Sequence, residues 1–169
     1  TFDYQYNDEH SLTRKTYSDG SYEAFDYNEF QQKTFTRDRK GNISRFTFDS
    51  RGNMLSRQVG LFDDGTTEIH SAAYAEYTYE YYPAAHQNQF LLRYEFDANS
   101  NRKEYLYNTE HFLIEIREPD DQGSAYHTAW TFTYDSFGRL ASSSDAAGRT
   151  TSFGYDERDR AIRVTYFDT

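Results

Sequence analysis

The side chains of this 169-residue sequence with the first claim on chemistry are its carboxylates, 28 Asp and Glu against 18 Lys and Arg. Some stand in acid-rich runs, Asp63-Asp64-Gly65 and Asp120-Asp121-Gln122-Gly123, of the kind whose carboxylate and carbonyl oxygens hold calcium. Neither run has the alternating ligand spacing of a calcium loop, and a solvated turn is the competing reading. The five histidines, His10, His70, His86, His111 and His127, lie far apart and form no zinc-binding pattern. His111 and Glu115 share a helical spacing, yet the Phe112-Leu113-Ile114 between them reads as strand. With no cysteine there is no disulfide, thiolate ligand or Cys–His pair, and Ser142 to Ser144 have neither a nucleophile elbow nor a nearby histidine. Paired carboxylates inside a curved sheet would suit glycosidic hydrolysis, but among 28 acids such proximity arises by chance. The expectation is a chain without cofactor, metal site or enzymatic activity.

Aromatic side chains form the second candidate set. Seven times, two rings flank one spacer and are followed by an acid or amide: Tyr4-Gln5-Tyr6-Asn7, Phe25-Asp26-Tyr27-Asn28, Phe46-Thr47-Phe48-Asp49, Tyr77-Thr78-Tyr79-Glu80, Tyr105-Leu106-Tyr107-Asn108, Phe132-Thr133-Tyr134-Asp135 and Phe153-Gly154-Tyr155-Asp156. Their starts lie 21, 21, 31, 28, 27 and 21 residues apart. Exposed rings make stacking platforms for sugars or bases. Recurrence at the strand period points instead to a ladder in which each ring packs on its cross-strand equivalent, at about 0.2 to 1 kcal/mol per pair. A net charge of −10 with the basic residues scattered leaves no surface for nucleic acid or an anionic membrane. Glycans remain as the ligand class the rings would suit.

Strands must position these rings. Large and polar side chains alternate with period 2 in Ala75 to Tyr81 and in Trp130 to Tyr134, which puts paired rings on one face. Asp-x-x-Gly occurs at Asp38 to Gly41, Asp49 to Gly52, Asp120 to Gly123, Asp135 to Gly138 and Asp145 to Gly148, with shorter forms at Asp19-Gly20 and Asp64-Gly65. Asp caps its own backbone at the start of such a turn, and Gly at the fourth position accepts positive φ. Turn signals every 10 or 11 residues give two strands and two turns per 21-residue unit. The predicted fold class is therefore all-β, consecutive antiparallel β-hairpin repeats forming a curved or spirally wound sheet. About 14 strands laid flat would span roughly 65 Å, and open sheets beyond about ten strands curl.

Residues 1–169 read as a single array of about seven repeats, with protruding loops expected at Gly60 to Ala73, Pro83 to Gln89 and Glu118 to Thr128. The cadence is under way by Tyr4 and Tyr166-Phe167-Asp168 resembles the start of a further unit, so a piece of a longer array is expected. No apolar run is long enough to cross a bilayer, and no signal-peptide pattern follows Thr1.

The run from Tyr134-Asp135 through Gly138-Arg139-Leu140, Asp145, Gly148, Phe153 and Tyr155-Asp156 resembles the YD repeat of the rearrangement-hotspot (RHS) family. Phe48-Asp49 with Gly52 resembles the same half-repeat, Asp38 to Gly41 with Phe46 and Phe48 resembles the other half, and weaker copies include Tyr27-Asn28 and Tyr107-Asn108. Asn7, Asn28 and Asn108 replace the aspartate, and Ser100 or Asp159 stands where glycine is usual. The resemblance implies repeats that wind into a hollow shell, which in bacterial toxin complexes and secretion effectors encloses a variable C-terminal toxin, and in teneurins serves adhesion. It implies a structural wall segment whose partners are the other repeats and the enclosed toxin, in a secreted or cell-surface setting. The family's autoproteolytic aspartate sits in an Asp-Pro setting, whereas proline here follows only Tyr82 and Glu118, so neither protease nor toxin activity carries over. The alternative reading is a surface adhesion or carbohydrate-binding module. Exposed end strands make self-association a further expectation.

Overall fold

The computed structural model of the chain describes residues 1–63, the main chain of 69–70, and residues 74–120 and 125–167. Every regular element among them is a strand, and the chain divides into two compact units, Thr1–Tyr79 and Glu80–Thr169. The first unit holds β1 (Asp3–Tyr6), β2 (Leu12–Thr16), β3 (Tyr22–Tyr27), β4 (Lys33–Arg37), β5 (Asn42–Phe48), β6 (Met54–Asp63), β7 (Ile69–His70) and most of β8 (Ala75–Tyr81). They pair antiparallel in the order β1-β2-β3-β4-β5-β6-β8, with β7 on the far end of β6. The second unit holds β9 (Leu92–Phe96), β10 (Arg102–Tyr107), β11 (Leu113–Pro119), β12 (Tyr126–Tyr134), β13 (Leu140–Asp145), β14 (Thr150–Tyr155) and β15 (Ala161–Phe167), again antiparallel and in chain order. The all-β, hairpin-after-hairpin architecture expected from the sequence is the one observed.

Among the described residues one turn frame recurs at ten positions, opened by Asn7, Tyr17, Asn28, Asp38, Asp49, Asp97, Asn108, Asp135, Asp145 and Asp156. The opening N–H donates to the carbonyl four residues on, and its own carbonyl accepts from the fourth residue's N–H, as in Asp135 N to Arg139 O at 2.9 Å and Gly138 N to Asp135 O at 3.0 Å. In all but the Asn7 and Tyr17 turns the opening side chain also accepts two main-chain N–H groups: Asp38 Oδ1 takes those of Lys40 at 2.8 Å and Asn42 at 2.9 Å, and Asn28 Oδ1 those of Phe30 and Gln32. Asparagine does this as well as aspartate because the cap needs only an acceptor oxygen.

The fourth residue has positive φ in every one of these turns, and in five it is not glycine: His10, Gln31, Ser100, His111 and Asp159, at φ 60 to 67°. The sequence reading tied the turn to glycine. In the structure the side-chain cap and the two main-chain bonds hold the same frame at the left-handed cost of about 1 to 2 kcal/mol per residue.

Hairpins alternate between two kinds. After each ring doublet whose turn keeps this frame the register shifts at the second ring, as in Gln5↔Arg14 followed by Tyr6↔Leu12, and the same shift occurs at Tyr27, Phe48, Tyr107, Tyr134 and Tyr155. One residue of the returning strand is thereby bulged out, which raises the local twist. Of the hairpins between, β2–β3, β4–β5, β9–β10 and β13–β14 run without a shift, as in Arg14↔Ala24, Lys15↔Glu23 and Thr16↔Tyr22, while β11–β12 shifts between Ile116 and Arg117.

The interior is thin. Among the described residues the buried hydrophobic side chains are Ile43, Leu61, Tyr82 and Ala129. Two of the expected loops turn out to be partly strand. β6 runs on through Gly60, Leu61 and Phe62 to Asp63, which sets Leu61 opposite Ile43, and β11 and β12 extend through Glu118 and His127. The extension of β6 brings Asp63 to Arg37, Nε to Oδ2 at 2.7 Å, while Arg37 Nη1 donates to the carbonyls of Tyr22 and Asp38. The Tyr22 ring carries the guanidinium carbons of Arg14 at 3.6 Å and Arg37 at 3.9 Å.

The third expected loop, Pro83 to Gln89, folds back rather than protruding. Tyr82 N donates to Leu91 O, Phe90 N donates to Tyr82 O, and Phe90 has φ 67°, so the recurring frame is retained around an insertion. Asn88, 2% exposed, donates Nδ2 to Tyr107 O at 3.2 Å.

Ser100→Gly should raise thermal stability by about 0.5 to 1 kcal/mol by removing the left-handed penalty from an exposed turn. A calorimetric melting temperature at or below that of the parent chain would show that this turn carries no backbone strain.

Candidate functional site

Most residues singled out in the sequence converge on one construction, the bulged turn and the ring before it, while Asp145 and Gly148 belong to the unshifted turn between β13 and β14. Asp135, Asp49, Asp156 and Asp145 open turns, while Gly138, Gly52 and Gly148 take their positive-φ positions. Tyr27, Tyr134 and Tyr155 stand immediately before such turns, and each hydroxyl donates to the carbonyl of the first residue of the preceding strand: Leu12 at 2.9 Å, Leu113 at 2.8 Å and Leu140 at 2.9 Å. Those carbonyls lie at the bulges, where the ladder is interrupted and acceptors need partners. Phe48, at the same position, has no hydroxyl to give. Tyr107 packs edge-on against Tyr82 at 6.2 Å, and burial pushes its phenol above the usual range.

Consecutive turns are tied along one edge within each unit, a feature that sequence reasoning missed. The fifth residue of one bulged turn meets the fourth or a neighbouring residue of the next: Ser11 Oγ donates to Gln31 Oε1 at 2.5 Å and Gln32 Nε2 to Gly52 O at 2.8 Å. In the second unit Arg139 Nη1 reaches Asp159 Oδ1 at 2.8 Å and Asp156 O at 3.3 Å, while its Nε holds Asp135 Oδ2 at 2.8 Å. Phe112 takes the equivalent place beside Gly138, where a Cβ would stand 2.7 Å from its ring. At the insertion Asn88 Oδ1 pairs with His111 Nδ1 at 3.0 Å. The spacing of 20 residues in three of these contacts was visible in the sequence, but serine, glutamine, phenylalanine and arginine share no chemistry that would have marked the position.

The expected ring-on-ring ladder is not what packs the doublets. Doublets occupy every second strand, so their equivalents lie two strand spacings apart, about 10 Å, beyond ring contact. The ring pairs that form include Phe2–Tyr17, Tyr82–Tyr107, Phe112–Tyr134 and Trp130–Phe132, and none of these joins a doublet to its counterpart. The strand between supplies aliphatic or cationic partners. Phe46 and Tyr77 both stand opposite Arg57, whose guanidinium lies 4.4 Å from the Tyr77 ring. Phe153 stands opposite Val164, Tyr134 opposite Leu140, and Arg139 lies 4.7 Å from the Tyr155 ring.

Electrostatics at the turns are uniform in sign. The Asn42 amide, the Arg149 guanidinium and the Arg160 guanidinium hold the carboxyls of Asp38, Asp145 and Asp156 below the usual carboxylate range, and main-chain N–H groups add to this. At Asp135 and Asp49 burial opposes the charge, but the hydrogen bonds of the turn outweigh it and the shift is again downward.

Of the two acid-rich runs, Asp64, Gly65 and residues 121–123 lie outside the described residues, and the Asp63 carboxylate is engaged by Arg37 and by the Tyr22 hydroxyl at 3.2 Å. No cluster of three or more metal-ligating side chains occurs among the described residues. A groove of about 370 Å³ lies along Phe112, Ile114, Phe132 and Tyr134, with Phe112 and Tyr134 stacked 4.7 Å apart so that these rings spend faces on each other.

Residues 134–169 match the family model described as RHS Repeat. Over 98% of its length the chain superposes on a crystal structure of TcdB2-TccC3 with a TM-score of 0.69 at 14% identity, and on TcdB2-TccC3 without its hypervariable C-terminal region with a TM-score of 0.68 at 13% identity. It also superposes on the Photorhabdus luminescens Tc holotoxin pore, TM-score 0.65 at 13% identity. At these identities the likeness is one of fold. The chain spans 9% of each TcdB2-TccC3 chain and 10% of the holotoxin chain. No curated protein sequence matches it.

Gly138→Ala should cost clearly more than Gly20→Ala. Both have positive φ, 78° and 82°, but a Cβ at Gly20 meets nothing within 4 Å whereas at Gly138 it strikes the Phe112 ring. The second substitution should lose about 1 to 2 kcal/mol and the first visibly more in the same urea titration; equal losses would remove the turn-to-turn contact from the account.

The aspartate shifts give acid lability. Each folded-state constant lies below the unfolded value near about 3.9, so the stability they contribute is full above that value and is lost as pH falls through the folded ones. Asp135→Asn keeps an acceptor, as Asn7 does where Ser11 N donates to its Oδ1 at 2.8 Å. Melting curves from pH 6 downward should show a smaller acid-induced drop for this variant than for the parent chain, and identical drops would refute the assignment.

Proposed function

We propose that this chain, which belongs to the RHS-repeat family, serves as a length of wall in a hollow β-structure that encloses a toxin carried by the same polypeptide. The observation that carries this reading is the recurring turn frame. Ten turns of one geometry, each tied mainly to its neighbours, make a sheet with no unique centre, extensible by any number of units. Such a sheet separates two spaces, and its described surface offers no converging acid, base and nucleophile. The toxin proteins with which it shares a fold support the same reading. Because the chain is a small fraction of their length, enclosure rests on further repeats along the outer edges, and an exported toxin assembly is the setting that fits.

The mechanism is containment. Main-chain hydrogen bonds close the wall sideways, the bulges give it twist, and the edge contacts between turns resist shear. In the full-length polypeptide, limited proteolysis should leave the enclosed domain intact, and Gly138→Val, which forces a branched side chain onto Phe112, should expose it at a lower temperature. Equal digestion of the enclosed domain in both forms would overturn the containment reading. Saturable binding on a glycan array, abolished by Phe132→Ala in the groove, would favour the adhesion alternative.

A further inference from the structure

One face of the Thr1–Tyr79 unit carries rings and cations in alternation along a line that crosses the strands. Phe25 stands opposite Thr36, Thr36 opposite Ser44 and Ser44 opposite Val59; two residues further along on the same side come Tyr27, Lys33, Phe46, Arg57 and Tyr77, from β3, β4, β5, β6 and β8. Lys33 Nζ lies 4.5 Å from the centre of the Phe25 ring and the Arg57 guanidinium 4.4 Å from that of Tyr77, so both cations share the side of the rings. Neither makes an ion pair or hydrogen bond with any described residue, although acids outnumber bases 28 to 18 in the chain. The described strand residues that point this way include the cations Lys15, Lys33 and Arg57 and the acid Glu23, which stands opposite Lys15. Lys33 and Arg57 are thus left without a counter-charge, one on either side of Phe46 and two strand spacings apart, roughly 10 Å. Beside the row runs a trough of about 210 Å³ floored by Thr36 and Ser44, whose hydroxyls have no partner among the described residues, with Glu23 and Asp38 at the end away from the two cations.

We infer that this row is a docking site for an acidic peptide, an extended chain laid across β4, β5 and β6 with two carboxylates that straddle Phe46 and pair with Lys33 and Arg57. Acidic residues two apart in an extended chain fall on one side of it, roughly 7 Å from each other, within reach of two long side chains rooted roughly 10 Å apart. The guanidinium suits the role because stacking on Tyr77 holds its plane while leaving its N–H edge for a carboxylate. The trough offers hydroxyl partners to the peptide main chain, and the acids at its far end turn a negatively charged ligand toward the cations. The rings favour a peptide over an acidic sugar: Lys33 covers a face of Phe25 and Arg57 a face of Tyr77, whereas a sugar would need those faces bare. The inference stands on this row alone and is independent of what the wall encloses.

Titration of the isotope-labelled chain with the peptide acetyl-Gly-Glu-Leu-Glu-Gly-amide, followed by amide chemical shifts, tests it. The shifts should centre on Lys33, Phe46 and Arg57, and the matched glutamine peptide should bind on the order of fivefold more weakly because two ion pairs are lost. Lys33→Gln and Arg57→Gln should each weaken the acidic peptide, on the order of threefold, and added salt should act in the same direction. Arg45→Gln, next to Phe46 in the chain but on the opposite side of the sheet, should leave the affinity unchanged. Lys33 is exposed, so its variant reports on the site even where Arg57→Gln disturbs the packing of Tyr77. The absence of a saturable shift, equal affinity for the glutamine peptide, a loss in Arg45→Gln as large as in Lys33→Gln, or tighter binding of oligogalacturonate at the same residues would each overturn the proposal.

Discussion

This fold depends above all on a side-chain oxygen that accepts main-chain N–H groups near the start of a turn, two of them in most turns. A sheet made of consecutive hairpins has no second layer to correct an error of register, and a slip of one residue turns every side chain to the wrong face. The register must therefore be fixed locally, about every ten residues. Asp38, with Lys40 and Asn42 donating to one oxygen at 2.8 and 2.9 Å, shows how much of the turn a single acceptor organises. Where the opening residue lacks such an oxygen, at Tyr17, Asp19 supplies one to Ser21 N at 3.0 Å. The left-handed φ at the fourth position is tolerated by histidine, glutamine, serine and aspartate because the cap and the flanking ladder over-determine it.

The same constraint explains why so little is buried. Stability that a globular domain would draw from an aliphatic centre is distributed here over cross-strand pairs, guanidinium groups laid on rings, and tyrosine hydroxyls that satisfy carbonyls at the bulges. Arginine suits the task because a flat cation covers a ring face while its N–H groups stay hydrated or bonded. Arg37 is the most committed of them, stacked on Tyr22 and paired with Asp63 in a nearly dry setting. A buried pair of this kind constrains geometry more than it adds free energy, and here it pins the extended end of β6 across β4.

Much of this was legible in the sequence, because strand and turn signals are local. Period-2 alternation placed the rings of Tyr77 and Tyr79 on one face, and the Asp-x-x-Gly runs located four turns, the fifth run, Asp120 to Gly123, reaching outside the described residues. What stayed hidden was relational. The doublets read as a ring ladder because they repeat identically, yet repeating at every second strand places them too far apart to touch. The turns ending at Ser100, Gln31 and His111 read only as weakened copies because glycine is usual there, when the side-chain acceptor that opens each turn was the stronger signal. The contacts between turns use unlike residues for one purpose, so no motif could have announced them.

The three insertions show which edge of the sheet bears load. Those after β6 and after β11 fall at hairpins that follow no doublet; there the strands run on, β6 to ten residues and β12 to nine, with the β11–β12 register shifting between Ile116 and Arg117. The insertion after β8 sits where a bulged turn belongs, on the edge where each turn must hold the next. There Tyr82 opens the insertion as Asp135 opens its own turn, Phe90 takes the positive φ, and Asn88 is buried so as to reach His111 at 3.0 Å and the Tyr107 carbonyl at 3.2 Å. On the bulged edge extra chain is thus admitted by rebuilding the contact it interrupts. The turn-to-turn contact is accordingly a requirement of the architecture, on the same footing as the cap that starts each turn.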